Sequence, residues 1–403
     1  MRIVQINSVY NVASTGRTTA ELHNAIIDAG HESYVVYSQI GVDVPDTSFQ
    51  MGNKFDRKVH GLLSRLFGKQ GYFSVGSTKQ LLKYLDEVNP DVVHLRNLHA
   101  NYINLPMLLT YLAKNDIATV ITLHDFWFIT GNCVYFNLEN CDKWQTQCGN
   151  CPNINNGNRS WFFDRTKEMH CDKIRLFNAI PRLAITGVSK WVADEAKKSP
   201  IAKDVIVKHI YNWIDFEKFY SRNIEELKKQ VNPDNKFTVL SAAMIWDPKK
   251  GLDNYIALAE QKKDYKFILI GRIPEGTVLP PNMHYVGVVS STDTLAEYYS
   301  MADAFVTFST AETFGKVSAE AMACGTPVVC HNATACPEIL GEGCGYAVEI
   351  GDLQGFADAL DEIQKNGKEY YKNNCIEHTR STFEKSTLTS EYIKLYSQLC
   401  EEK

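Results

Sequence analysis

Short β-branched runs, each separated from the next by a longer stretch of helical periodicity, constrain the fold of this chain most strongly. From the amino end they are "RIVQIN" (2–7), "SYVVYS" (33–38), "DVVHL" (91–95), "ATVITL" (118–123), "LAITGVS" (183–189) and "VIVKHIY" (205–211). A helical pattern from about Thr18 to Ala29 follows the first of them. Strands that return only after a helix pair in parallel, so this spacing predicts βαβ units and a mostly parallel, doubly wound sheet. After "YNWIDFEKF" (211–219) the alternation restarts with "FTVLSAA" (237–243), "KFILIG" (266–271), "MHYVG" (283–287), "ADAFVTF" (302–308) and "TPVVC" (326–330). The polar segment "SRNIEELKKQVNPDNK" (221–236) reads as the junction. Two Rossmann-like α/β domains facing a central cleft are therefore expected, over residues 1–210 and 211–385. A cysteine-rich insertion falls at 131–155, and the amphipathic helix at 386–403, which could pack on either domain, is assigned to the first.

The 403 residues are 44% hydrophobic and 22% charged, enough to bury cores without covalent staples. A net charge of −5 offers no global attraction to nucleic acid. The start "MRIVQINSVYNV" lacks a basic region followed by an apolar core, and no apolar run approaches the roughly 20 residues that span a bilayer. A cytoplasmic protein is expected.

Open parallel sheets bind ligands beyond the carboxyl ends of their strands. "TAETFGKVSAEAMACGTPVVC" (310–330) supplies one such loop. A helix beginning near Gly315–Val317 would aim its free first-turn amides and its dipole at the loop, a ready phosphate site. Glu312 precedes that site and Glu320 lies about one turn inside the helix. A carboxylate beside a phosphate is unfavourable unless it binds something else, and sugar hydroxyls are natural donors to it. A diphosphate flanked by two sugars meets this layout, with Glu312 on a transferred hexose and Glu320 on a ribose.

The run E-T-F-G-K-V-S-A-E-A-M-A-C-G-T-P-V-V resembles the E-x7-E signature of retaining GT-B glycosyltransferases of group 1 (family 4). Both acids, the Phe-Gly pair and the A-M-A-C-G-T-P-V-V tail match together. The resemblance implies catalytic or positioning roles for Glu312, Lys250 and His124. It implies donor contacts from Glu320, Phe314, Gly315, Lys316, Val317, Arg272 and Gly16. Lys250, in "WDPKKGLD" (246–253), matches the family lysine on the donor diphosphate; the partner arginine is missing near Met244–Trp246, leaving Arg272 or Lys249 as substitutes. Only Gly16, beside Arg17, stands where relatives have a glycine-rich turn, and an N-cap by Ser14 or Thr15 reads equally well there. "VITLHDFWFITGNC" (120–133) is similar to the Thr-x-His-Asp segment, in which His124 would meet the donor sugar and Asp125 would orient it or bind acceptor. "HLRNLHANYINL" (94–105) resembles a histidine-rich segment of a capsule and colanic-acid subgroup, implying acceptor contacts from Asn97 and His99, with Asp125 and Arg17 beside them. Metal binding by His94 with His99 is the alternative reading.

Cys133, Cys141, Cys148 and Cys151 form a C-x7-C-x6-C-x2-C run. In a reducing compartment such spacing suits a tetrahedral structural zinc, with free thiols or a redox pair as alternatives. Four protein ligands would leave no open position, so no catalysis is assigned to them. "KFDRKVHGLLSRLFGKQGYF" (54–73) mixes five basic residues with Leu62, Leu63, Leu66 and Phe67; residues 54–69 fit an anionic membrane surface or an ordinary packed helix.

The resemblance implies transfer of a hexose from a UDP- or GDP-sugar to a glycan acceptor, lipid-linked, in surface or exopolysaccharide synthesis. Domain closure would exclude water. No Asp-x-Asp tripeptide occurs, so no catalytic metal is expected. The rival readings are another GT-B enzyme, such as a sugar-nucleotide epimerase, and a silent carbohydrate- or partner-binding protein.

Overall fold

The β-branched runs Val92–Leu95, Ala118–Leu123, Leu183–Gly187 and Val328–His331 are buried along their whole length, as strands covered on both faces must be, whereas the edge runs Ile206–His209 and Met283–Gly287 are only partly buried. In the computed structural model, which describes Met1–Glu401, the chain divides into two compact units. One is Met1–Tyr211 with the chain from Ser386 onward; the other is Asn212–Lys385.

The first unit holds a seven-stranded parallel sheet. Its strands are β1 (Arg2–Ile6), β2 (Glu32–Tyr37), β3 (Ser48–Gln50), β4 (Val92–Leu95), β5 (Ala118–Leu123), β6 (Leu183–Gly187) and β7 (Ile206–His209), ordered β3-β2-β1-β4-β5-β6-β7. The second holds a six-stranded parallel sheet of β8 (Thr238–Ile245), β9 (Lys266–Arg272), β10 (Met283–Gly287), β11 (Ala304–Thr307), β12 (Val328–His331) and β13 (Gly345–Val348), ordered β10-β9-β8-β11-β12-β13. Both orders reverse direction at a central strand, which opens a crevice at the carboxyl ends beside β1 and β4 in one unit and beside β8 and β11 in the other.

Several expectations are corrected. The first helix starts at Ala13, five residues before Thr18, and Val12 caps it without a side-chain bond, so neither Ser14 nor Thr15 is the cap. The segment 221–236 is no junction: it lies inside the second unit and contains the helix Glu225–Val231. Strands β3 and β13 are additions to the expected set. The C-terminal helix runs Lys385–Glu401 and lies against the first sheet, where the Tyr396 hydroxyl meets Nδ1 of His94 (2.8 Å) and the Tyr392 hydroxyl meets Thr122 Oγ1 (3.1 Å). Residues 402–403 of that predicted helix lie outside the described residues.

Candidate functional site

In the second unit three loops gather at the carboxyl ends of β8, β9 and β11. After β8 the chain makes a 3-10 turn, Pro248–Lys250, closed by Gly251 at φ 70°. A Cβ there would lie 2.4 Å from Phe308 Cβ, so glycine lets this loop sit directly on the end of β11. The loops are laced together: the Thr310 amide donates to Lys249 O (3.1 Å), and the Glu312 amide to Thr334 Oγ1 (3.3 Å). This lacing brings Lys250 Nζ into an ion pair with Glu312 Oε1. Burial works against the Lys250 charge, but the Glu312 and Asp247 carboxylates outweigh it and hold its pKa above the ordinary value.

Glu312 leads to Gly315, at φ 90°, which caps the helix Lys316–Ala323. The first-turn amides, those of Lys316 and Val317 among them, have no intrahelical acceptor and carry the positive end of the dipole. Ser309 and Ser318 have buried hydroxyls without a hydrogen-bond partner among the described residues. Sequence reading passed over both, since a serine in a loop has no distinguishing pattern. Glu320 is 6% exposed and accepts from the Tyr299 hydroxyl (3.3 Å). The Phe314 ring is buried edge-to-face on Phe383 (5.2 Å), so its side chain belongs to the core and only its backbone lines the loop.

Arg272 ends β9 in register with Ile245, next to where the family arginine is missing. Its side chain is exposed, whereas Lys249 is engaged by Asp247 (3.2 Å). Gly271, at φ 118°, lets Arg272 reach this position: a Cβ on it would fall 1.6 Å from Ala243 O.

In the first unit His124 and Asp125 follow β5 directly. Arg96, at the end of β4 and 2% exposed, donates to Gln5 Oε1 (3.2 Å), Thr18 Oγ1 (2.7 Å) and His124 Nε2 (3.2 Å). A guanidinium has no lone pair to offer, so His124 Nε2 is the acceptor and the neutral ring carries its proton on Nδ1. Arg96 was missed in the sequence because an arginine just past the end of a strand looks like a surface residue. Asp125 Oδ2 pairs with His99 Nε2 (2.8 Å), and its Oδ1 accepts the Trp127 amide (2.8 Å). Burial raises the Asp125 pKa, but the His99 charge and these hydrogen bonds bring it below the usual value. Asn97 lies nearby in the chain, with a buried Oδ1 that no described group satisfies.

His94 is a core histidine, not a metal ligand: Nδ1 meets Tyr396 and Nε2 meets Thr122 Oγ1 (2.7 Å). Gly16 is buried under the loop it follows, its would-be Cβ 3.1 Å from Val9 Cγ2; Arg17 beside it is exposed. Cys133, Cys141, Cys148 and Cys151 line one small cavity with Phe136 and Trp144. Sγ of Cys148 accepts the Gly131 amide (3.2 Å), and Sγ of Cys133 accepts from Asn153 Nδ2 (3.2 Å). Burial pushes the Cys133 thiol up to about 11 and the Cys148 thiol up to about 12. All four are free thiols, and among the described residues no group of three or more His, Cys, Asp or Glu side chains is disposed to hold a metal ion. The expected zinc thus finds no ready ligand set.

Two Rossmann-like units, one with a lysine–glutamate pair at a helix N-terminus, define a GT-B glycosyltransferase. Residues 15–218 match Glycosyltransferase Family 4 and residues 223–382 match Glycosyl transferases group 1; the chain belongs to this family and is a glycosyltransferase. It is 23% identical over 420 aligned positions to the putative colanic acid biosynthesis glycosyl transferase WcaC of Escherichia coli K12, covering 99% of this chain and 100% of that one. It is 27% identical to N-acetyl-alpha-D-glucosaminyl L-malate synthase of Bacillus anthracis, over 53% of this chain and 58% of the relative. Among solved structures, sucrose-phosphate synthase of Thermosynechococcus elongatus superposes with a TM-score of 0.70 at 16% identity, covering all of both chains. Anabaena Alr3699/HepE in complex with UDP gives 0.67 at 17%, covering 99% of this chain and 100% of that one. No helix among the described residues is long and apolar enough to cross a membrane.

Proposed function

We propose that this glycosyltransferase moves a hexose, with retention, from a UDP- or GDP-sugar to a lipid-linked glycan acceptor in surface polysaccharide synthesis. The observation that carries this is the Lys250–Glu312 pair beside the helix N-terminus at Lys316. The helix amides, Lys250 and Arg272 offer positive potential to a diphosphate, and Glu312 offers acceptor oxygens to the hydroxyls of the attached hexose. The C1–O bond to the diphosphate breaks as the acceptor oxygen bonds to C1, and the acceptor proton passes to the departing phosphate. Glu312 is a positioning residue in this scheme. Glu320 holds the ribose, and Asn97, His99, Asp125 and Arg17 bind acceptor. The WcaC likeness supports a polysaccharide pathway, and the UDP complex of HepE supports a nucleotide donor.

We place the enzyme in the cytoplasm, working at the inner membrane face. Thermal shift with UDP-, GDP- and ADP-sugars, beside a Glu320→Ala variant, tests the donor site. Stabilisation by one nucleotide class, weakened in the variant, supports it. An unchanged melting temperature with every donor at millimolar concentration sinks it and favours the binding-protein reading.

A further inference from the structure

The helix Lys54–Phe67 is turned inside out. Its buried positions are His60, Gly61 and Ser64, while Phe55 is 72% exposed and Val59, Leu62 and Phe67 are exposed with it. Positions 55, 59 and 62 fall on one stripe of a helix. The polar side is the one that packs. His60 Nδ1 meets Ser74 Oγ (2.7 Å), its Nε2 accepts the Gly71 amide (3.3 Å), and Gly61 lies against Asn101.

At its carboxyl end the apolar stripe continues into Trp161, Phe162 and Phe163, three consecutive exposed aromatics, with Phe162 69% exposed. The Trp161 amide donates to Arg65 O (2.8 Å). Gly68, at φ 68°, lies so close to Phe163 O that a Cβ would stand 2.2 Å from it. Helix and aromatic turn thus form one continuous surface. Scattered apolar residues on a surface are ordinary, but Phe55, Val59 and Leu62 on one stripe that runs into three consecutive exposed aromatics mark an interaction site.

The rim of this face is basic. Lys54, Lys58, Arg65, Arg159 and Lys167 are exposed and make no ion pair among the described residues. The neighbouring acids are already engaged. Asp56 closes the capping box, Asp164 accepts from the Cys151 amide (2.7 Å) and from Thr166, and Glu168 meets Lys69 and Arg165. A second copy of the chain would set basic rim against basic rim. A bilayer bearing anionic headgroups satisfies both the aromatic centre and the charged border.

We infer that this face docks on an anionic lipid bilayer, with Trp161, Phe162, Phe163 and Phe55 entering the interface and the rim cations meeting headgroups. The inference rests on the lipid-linked acceptor reading and gives it a location. The turn after the helix touches the candidate acceptor residues: Gln70 Nε2 donates to His99 O (2.6 Å), and Gly71 packs on Trp127. The helix that carries the face thus leads directly into the turn that supports His99.

Co-sedimentation of the full chain with vesicles of phosphatidylcholine containing a quarter phosphatidylglycerol tests this, beside pure phosphatidylcholine vesicles and high salt. The protein is expected to sediment with the anionic vesicles and to be released by salt. Phe162→Ser/Phe163→Ser and Lys58→Glu/Arg65→Glu should each lower partitioning by roughly tenfold or more, with melting temperatures unchanged. The proposal is overturned by no sedimentation of the wild type, by equal sedimentation of the variants, or by a solution dimer that the aromatic variant abolishes. Donor-induced thermal shift is read separately, so a failed docking surface with intact donor binding is distinguishable from a failed donor site.

Discussion

Replacing Lys250 with Met removes the ammonium that faces Glu312 while keeping most of the side chain's length. Two effects follow, and their sizes separate. Lys250 is 25% exposed and Glu312 16%, so the pair stands between a surface ion pair and a fully buried one. Exposed pairs contribute ~0–1 kcal/mol, and breaking a buried one costs about 3–5 kcal/mol. We expect a loss of ~1–2 kcal/mol, or a few degrees in melting temperature for a unit of this size. The effect on turnover should be larger. Removing one preorganised donor to a developing oxyanion costs ~3–4 kcal/mol, a hundredfold to a thousandfold in kcat. Steady-state transfer with the donor identified by thermal shift reads the second effect, and calorimetry reads the first. The double variant Lys250→Met/Glu312→Gln relieves the stranded carboxylate. It should regain most of the lost stability and none of the turnover. If Lys250→Met kept turnover within threefold of wild type, the placement of Lys250 on the leaving diphosphate would be refuted. A double variant that recovered turnover would refute it equally.

Arg96→Met removes the donor to His124 Nε2. Long-range 15N NMR should show His124 losing its fixed Nδ1–H tautomer, and kcat should fall about tenfold to a hundredfold with little change in donor KM; an unchanged tautomer would sink the assignment. His60 and His170 are buried, and burial pushes both pKa values down to about 4. The unfolded chain takes up these protons near pH 6.5, so the stability they contribute is full above that pH and is lost as pH falls toward 4. The loss is roughly 3 kcal/mol per histidine at the limit. Denaturant midpoints that do not fall across this window, or that fall equally in a His60→Gln/His170→Gln variant, would contradict it. Cys133, Cys141, Cys148 and Cys151 should titrate as four free thiols, with no stoichiometric zinc by elemental analysis; one zinc per chain, lost with a fall in melting temperature on chelation, would restore the structural-ion reading.

The alternation of β-branched runs with helical stretches determined the two parallel sheets, because a buried parallel strand has to be apolar on both faces and its helix has to follow. "ATVITL" and "MHYVG" coincide with β5 and β10 residue for residue. The short strands β3 and β13 left no such mark: Ser48–Gln50 has no β-branched residue, and β13 opens on Gly345, required where a Cβ would lie 1.8 Å from Val328 O. Local order also exposed the loop and helix around Glu312 and Gly315, since capping and strand-end position are near-neighbour properties. Pairings across the sheet were hidden. Only the packed chain decides that Asp125 meets His99, that Arg96 sets the His124 tautomer, and that His94 is satisfied by Tyr396, 302 residues away. Periodicity shows which residues share a face of an element; what that face meets depends on every other element. The helix Lys54–Phe67 is the clearest case: its sequence is amphipathic either way, and only the fold turns the apolar side outward.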